Sequence, residues 1–205
     1  MTTMVATTAP ARAKADWTKY AALVAKVALF ALLLTAIIWP DLSGIKGKAS
    51  GARLVVYPLG ALVLPLWWFA YGRTKSKLHQ AFPWHADLLI TLPWLVDLLG
   101  NRLNLFDTIN WWDDAMHFIL WALLTAGVLI AFAPPELTRG LTTFVALGFG
   151  ATAAVIWELG EYVAFVRHSP ELQTAYTDTL GDLALGTLGA FLAGLIVFQV
   201  RRSAA

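Results

Sequence analysis

Three short stretches of this chain place acidic side chains, in one case with a histidine, at helical spacing inside apolar sequence. They contain Asp113, Asp114 and His117 in the first stretch, Glu158 and Glu161 in the second, and Asp178 and Asp182 in the third. A charged group at the middle of a bilayer costs about 2.5–3.5 kcal/mol on insertion scales. We therefore expect these side chains to serve a chemical function rather than packing alone.

Each stretch directs its groups to one helix face, because residues three or four positions apart are neighbours there. Several carboxylates and one imidazole at a common place either share protons or bind a cation. Oxygen and imidazole ligands suit Mg, Ca, Mn, Fe or Zn, so we predict a divalent metal site. Its predicted ligands are Asp113, His117, Glu158, Glu161, Asp178 and Asp182, with Asp97, Asp114 and His168 as additional candidates. Asp113 is either a ligand or a partner that orients the imidazole.

Helix capping is the alternative explanation for part of this pattern. Asn110 at an N-cap would place Asp113 in the first turn, where an acid interacts favourably with the helix dipole. The same argument applies to Asp114, and Thr177 would cap a helix that begins near Asp178. The two glutamates of the second stretch lie far from any predicted helix N-terminus, so capping does not explain them.

The remaining ionisable groups fit ordinary roles. A single histidine such as His117 would more often be a hydrogen-bonded core residue. Because two acids lie beside it on the same helix, it is also a candidate metal ligand or proton carrier. Asp97 has a nearby partner in Arg102, and Lys26 is expected to extend along its helix to the nearer membrane surface. Four acids are expected to be interfacial or loop groups, namely Asp87, Asp107, Glu136 and Glu171.

The composition is that of an integral membrane protein. Of 205 residues, 59% are hydrophobic and 14% are charged, whereas soluble domains carry about 25% charged residues. The lipid bilayer is therefore the expected partner, and oligomerisation stays open. A net charge of +2, with basic residues in loops and tails, does not indicate nucleic-acid binding. The absence of cysteine excludes disulfides and thiolate metal ligands.

The expected fold is all-α, a polytopic transmembrane helix bundle with about six spans. Residues 1–16 are expected to be a disordered tail, and 17–205 a single transmembrane helical domain. A span needs about 20 apolar residues, and the third candidate is the weakest because Asp87 and Asp97 lie near its ends. The candidate spans are about 18–39, 54–72, 86–103, 111–133, 140–166 and 177–200.

Loop charge predicts the orientation, because cytoplasmic loops are richer in Lys and Arg. One side carries nine basic residues, and the other carries Lys46, Lys48, Arg53, Arg102 and Arg167. The richer side contains Arg12, Lys14, Lys19, Arg73, Lys75, Lys77, Arg139, Arg201 and Arg202. Both termini are then cytoplasmic, and the three acidic stretches meet near the outer face.

Small residues continue below the acidic groups of the last two spans. Gly186, Ala190 and Gly194 follow Asp182 at four-residue intervals. Ala146, Gly150 and Ala154 lead up to Glu158 in the same way. Ridges of small residues let helix backbones approach closely in membranes. The fifth and sixth spans are therefore predicted to pack together.

The order of these motifs resembles the YjdF-type bacterial inner-membrane proteins, a family of unknown function. The matching residues are Asp113, His117-Phe118, Glu158-Leu159-Gly160-Glu161, Asp178-Thr179, Asp182 and Leu188-Gly189-Ala190. The resemblance covers about residues 97–195 and implies a place in the bacterial inner membrane, with Asp113 rather than Asp114 as the family position. More distantly, the chain is similar to the VanZ-like proteins, which are linked to glycopeptide-antibiotic tolerance.

Three functions are compatible with these observations. The leading hypothesis is a metal site near the outer membrane face that acts on a lipid-like substrate, with a spare carboxylate as general base. The first alternative is transport of protons or divalent cations, since acids within a membrane also form ion pathways. The second is a non-catalytic membrane binding or tolerance protein, in which the acids hold the bundle together or bind a partner or antibiotic at the membrane surface.

Overall fold

The computed structural model describes residues 16–46, 48, 50–72 and 82–204 and is all-helical in this part of the chain. The α-helices are α1 (Trp17–Ile38), α2 (Ser50–Trp67), α3 (Trp84–Arg102), α4 (Leu105–Thr108), α5 (Trp112–Phe132), α6 (Arg139–Ala164) and α7 (Ala175–Ala204). A π-helical turn, Trp68–Gly72, extends α2. The expected fold class is confirmed. The predicted disordered tail lies outside the described residues except for Asp16, which caps α1.

Five of the described helices are long and apolar enough to cross a membrane, rather than six. These are α1, α2 with its extension, α5, α6 and α7. The segment expected as a third span forms α3, which carries Asp87, Asp97 and Arg102 within 19 residues. This helix packs against α1, α2 and α5 in the interior of the bundle. Its charged groups therefore meet protein rather than lipid.

A buried ion pair joins α1 to α3. The Nζ atom of Lys26 donates to Oδ2 of Asp87 at 2.6 Å and to Oγ1 of Thr91 at 2.8 Å. The expectation that Lys26 extends to the membrane surface is wrong, and so is the interfacial role expected for Asp87. The two charges neutralise each other inside the bundle. Because each buried charge has a partner, α1 and α3 can pack together there.

Close contacts between small residues pack α7 against both α5 and α6. A methyl group at Gly150 of α6 would overlap the side chain of Ala190, which is fully buried on α7. A methyl group at Gly189 would overlap the backbone oxygen of Phe118 on α5. The predicted packing of the last two apolar helices is confirmed, and α5 completes the group.

The predicted capping residues do not cap these helices. The helix α5 begins at Trp112 after Trp111, and the N-cap side chain makes no hydrogen bond. Asn110 is therefore not the cap, although Asp113 and Asp114 do lie in the first turn. The helix α7 begins at Ala175, so Thr177, the residue expected to cap it, lies within the helix.

Replacing Gly189 by alanine should destabilise the protein, because the added methyl group would push α5 and α7 apart at a backbone contact. Overpacking of this kind costs roughly 1–3 kcal/mol. Thermal unfolding in detergent should show a clear drop in Tm. Gly181→Ala is the matched control on the same helix, since its methyl group would meet nothing within 4 Å. Equal Tm values for the two variants would contradict the close packing.

Lys26→Met should destabilise the protein strongly, because it leaves the carboxylate of Asp87 buried without its cation. Breaking a buried pair costs about 3–5 kcal/mol. The double variant Lys26→Met/Asp87→Leu should recover most of the lost Tm. The control is Lys46→Met, since Lys46 and Asp41 form an exposed pair with side chains 73% and 82% accessible. If Lys26→Met had the same Tm as Lys46→Met, the stabilising role of the buried pair would be refuted.

Candidate metal centre

The three acidic stretches meet at one end of the bundle. The helices α5 and α7 begin there, and α6 ends there after the last turns that carry its two glutamates. His117 follows Asp113 by one turn on α5, and Asp182 lies about two turns into α7. The same end contains Lys48, which precedes α2, and Asp107 of α4, which form an ion pair. This convergence follows from the antiparallel order of α5, α6 and α7.

The imidazole of His117 lies at the centre of this group. Its Nε2 atom is 3.6 Å from Oδ1 of Asp113 and 3.7 Å from Oδ1 of Asp182. Its Nδ1 atom is 3.8 Å from Oε1 of Glu158. These distances exceed those of a hydrogen bond, for which N–H···O separations are about 2.7–3.2 Å. Three carboxylates therefore surround the ring without closing directly onto it.

One side of the ring has the dimensions of a metal site. Asp113, His117 and Asp182 each offer one ligand atom, and these atoms lie within 4.8 Å of one another. Metal bonds of roughly 2.0–2.2 Å bring neighbouring ligand atoms to about 3.0–3.5 Å. The carboxylate oxygens at 3.6 and 3.7 Å from Nε2 need to approach it by a few tenths of an ångström, and, because they lie within 4.8 Å of each other, they need to approach one another by up to about 1.8 Å. Two carboxylates and one imidazole are a suitable donor set for Zn, Mn or Fe.

The other side of the ring faces Glu158. Its side chain is 10% accessible, as is that of His117. Nδ1 of His117 and Oε1 of Glu158 are both buried and have no hydrogen-bond partner among the described residues. The second carboxylate oxygen, Oε2, accepts from Oγ1 of Thr179 at 3.2 Å. If His117 bound a metal ion through Nε2, Glu158 would lie where it could orient the ring from the Nδ1 side, since a ligating histidine usually donates its other N–H to such a group.

A cavity of about 280 Å³ opens beside the cluster. Its polar lining includes Asp97, Asp113, His117, Glu158, Glu161, Asp178 and Asp182. Its apolar lining includes Pro93, Trp94, Met116, Leu120, Leu124 and Trp157. Two of the additional candidates, Asp114 and His168, are exposed and do not line the cavity. The structure therefore brings together all six predicted ligands and Asp97, with Asp178 at the exposed rim.

Asp97 belongs to a second network at the edge of this cavity. Its Oδ2 atom accepts from the hydroxyl of Tyr57 and lies 3.4 Å from Nε of Arg53. The expected pairing with Arg102 is wrong, because that side chain donates to the backbone oxygen of Ser43 at 3.4 Å. Sequence reasoning missed this network, although Arg53 and Tyr57 have the four-residue spacing that places them on one face of α2.

Two acids expected to be ordinary loop groups also line the cavity. Asp107 accepts from Nζ of Lys48 at 2.7 Å. Glu171 lies in the 3₁₀ turn Pro170–Gln173, where partial burial raises its pKa above the ordinary value against the attraction of Lys48. The cavity is thus bordered by more ionisable groups than the spacing of the three stretches indicates.

Several apolar helices long enough to span a bilayer, together with a buried cluster of ionisable side chains, define a multi-pass membrane protein. The family described as "Predicted membrane protein (DUF2238)" matches residues 21–203, and the chain belongs to this family. An uncharacterized protein of Thermotoga maritima is 22% identical over 165 residues, which cover 71% of this chain and 78% of that protein. No solved structure matches the chain.

Proposed function

We propose that this protein binds a divalent metal ion through Asp113, Nε2 of His117 and Asp182, and that the metal centre acts on a lipid-like substrate. The observation that carries this proposal is the position of the imidazole. Its Nε2 atom lies 3.6 and 3.7 Å from two carboxylates on different helices. The side chains of His117 and Asp182 are only 10% and 6% accessible.

The donor set favours a reactive site over a structural one. Three protein ligands leave a coordination position for water or substrate, as in catalytic zinc sites. A divalent ion there would polarise a carbonyl or phosphoryl oxygen and lower the pKa of a bound water. The single imidazole favours Fe, Mn or Zn over Mg and Ca, which prefer oxygen ligands.

The neighbouring carboxylates have separate roles in this proposal. Glu158 holds the ring of His117 from its Nδ1 side. Glu161 follows one turn later on α6, lines the same cavity and is the candidate general base that accepts a proton from attacking water. Asp178 lies at the exposed rim, where it attracts cations to the cavity. In this proposal the six side chains predicted for the metal site divide into ligands, an orienting group, a base and a rim group.

The cavity supports a lipid-like substrate. Its lining passes from the polar cluster to apolar residues between Met116 and Leu124, eight positions apart on α5. At 1.5 Å per residue, this is about 12 Å along the helix. An amphiphile with its reacting group at the cluster and its chain toward the membrane interior fits this arrangement. We place the site at the outer face of a bacterial inner membrane, in agreement with loop charge and with the YjdF-type resemblance.

Transport finds less support than binding and reaction. In the sequence of α5, α6 and α7, no acidic residue lies between the cluster and the opposite end of the bundle. The small-residue contacts at Gly150 and Gly189 fill the space between these helices instead. Proton or cation transport by one copy would need a polar path there.

Elemental analysis of the purified protein tests the proposal. The wild type should contain about one equivalent of Fe, Mn or Zn, and His117→Ala and Asp182→Asn should lose it. Glu158→Gln should keep the site with affinity reduced by about 10–100-fold, as expected for a group that orients a ligand. Asp114→Asn is the matched control, because Asp114 is exposed in the first turn of α5 and does not line the cavity.

Thermal unfolding provides the second readout. Chelation should lower the Tm of the wild type and of Asp114→Asn, and should leave His117→Ala unchanged, because a bound ion stabilises only the protein that binds it. Folded wild type that contains no metal and takes none up on reconstitution would refute the proposal. Full metal content in His117→Ala and Asp182→Asn would do the same.

A further inference from the structure

We propose that the cavity binds the phosphate group of an anionic amphiphile between the metal centre and the two cations Arg53 and Lys48. This inference rests on the metal centre proposed above and names the class of its ligand. Both cations line the same cavity as the carboxylate and histidine cluster. They approach from the α2 side, whereas the cluster is formed by α5, α6 and α7.

Three contacts fix the position of the Arg53 guanidinium group. Its side chain is 13% accessible, and its Nε atom donates to the hydroxyl of Tyr57 at 2.9 Å. Asp97 lies beside the same Nε atom, and Nη1 donates to the backbone oxygen of Lys48. A guanidinium group has five N–H donors in a rigid plane. Fixing one edge of that plane presets the group for a ligand in the cavity.

Lys48 provides the second cation. Its Nζ atom is 2.7 Å from Asp107 and lies 6.0 Å from the ring centre of Phe165. The side chain is 18% accessible, so its charge is largely shielded from solvent. Because Arg53 bonds to the backbone of this residue, the two cations are held as a unit.

Acidic groups outnumber the cations in the cavity lining, so a phosphate would be recognised by local contacts with the metal ion and Arg53 rather than by net charge. Asp97 and Asp107 are the partners of the two cations, and Asp113 and Asp182 offset a divalent ion. A phosphate group would then meet a metal ion on one side and a planar guanidinium with an ammonium on the other. Arginine forks and metal ions both match the oxygens of a phosphate.

The size of the cavity indicates how the rest of the ligand lies. A volume of about 280 Å³ is near the lower limit of ligand pockets, which are about 300–1,000 Å³. It accommodates a head group and a short part of a chain. Tyr162 on α6 lines the cavity and is also 47% accessible, so it marks a mouth. The head group would therefore enter beside Tyr162, with the chain along the apolar residues from Met116 to Leu124.

Three ligands with the same alkyl chain test this assignment, namely dodecyl phosphate, dodecanol and dodecyltrimethylammonium. Binding is measured by calorimetry on metal-loaded protein in nanodiscs, with inorganic phosphate as a fourth ligand. Dodecyl phosphate should bind at least about tenfold more tightly than the neutral and cationic ligands, since a charged hydrogen bond contributes more than a tenfold step in affinity. Inorganic phosphate should compete with it but bind more weakly.

Variants of Arg53 separate recognition from stability. Arg53→Gln/Asp97→Asn removes both partners of the ion pair, so neither leaves an unpaired charge, and it should lose the preference for phosphate while keeping its metal. Arg53→Lys keeps the charge without the planar fork and should show an intermediate preference. Lys46→Gln is the matched control, because Lys46 is exposed and does not line the cavity.

The possible results distinguish this inference from the metal proposal. Protein that contains metal but binds dodecanol or dodecyltrimethylammonium as tightly as dodecyl phosphate overturns the phosphate assignment alone. If inorganic phosphate binds as tightly as dodecyl phosphate, the alkyl chain contributes nothing and the assignment of an amphiphilic ligand is overturned. An unchanged phosphate preference in Arg53→Gln/Asp97→Asn overturns the role of Arg53. Wild type without metal overturns the proposed function itself.

Discussion

The close approach of α7 to α5 is the contact on which the candidate site depends. Gly189 lies against the backbone oxygen of Phe118, the residue that follows His117. Asp182 is two turns above Gly189 on the same helix, so this contact determines how near its carboxylate comes to the imidazole. Any side chain at Gly189 would separate the two helices and increase the distance between Asp182 and His117. Small residues therefore contribute to the chemistry of the site although none of them is a ligand.

The cost of charge in an apolar interior explains the other polar contacts. Lys26 with Asp87, and Arg53 with Asp97, are two cation–carboxylate pairs near opposite ends of α3. Each pair neutralises a charge that lipid would not solvate, and each attaches a neighbouring helix to α3. The cluster around His117 differs from both pairs, because its three carboxylates face one imidazole that cannot neutralise them. A bound cation would remove this imbalance.

The geometry around His117 also distinguishes acids that look alike in sequence. Asp113 and Asp182 face one ring nitrogen, whereas Glu158 faces the other. Because one metal ion binds only one nitrogen of a ring, the proposed metal centre would use Glu158 to support the ring rather than as a ligand. The spacing of Glu158 and Glu161 identified the helix face correctly, but it contained no information on which atom of which partner each would meet.

The local features of this protein were readable from its residues. Apolar length predicted the helices, three- and four-residue spacing predicted the face shared by Asp113 and His117, and small-residue ridges predicted the packing of α6 and α7. These signals are local because hydropathy and helical period depend on neighbouring positions. Distant pairs such as Lys26 with Asp87, the interior position of α3, and the exclusion of Asp114 depend on how each helix is rotated and tilted. Those angles result from packing summed over the whole bundle, so only the folded structure defines them.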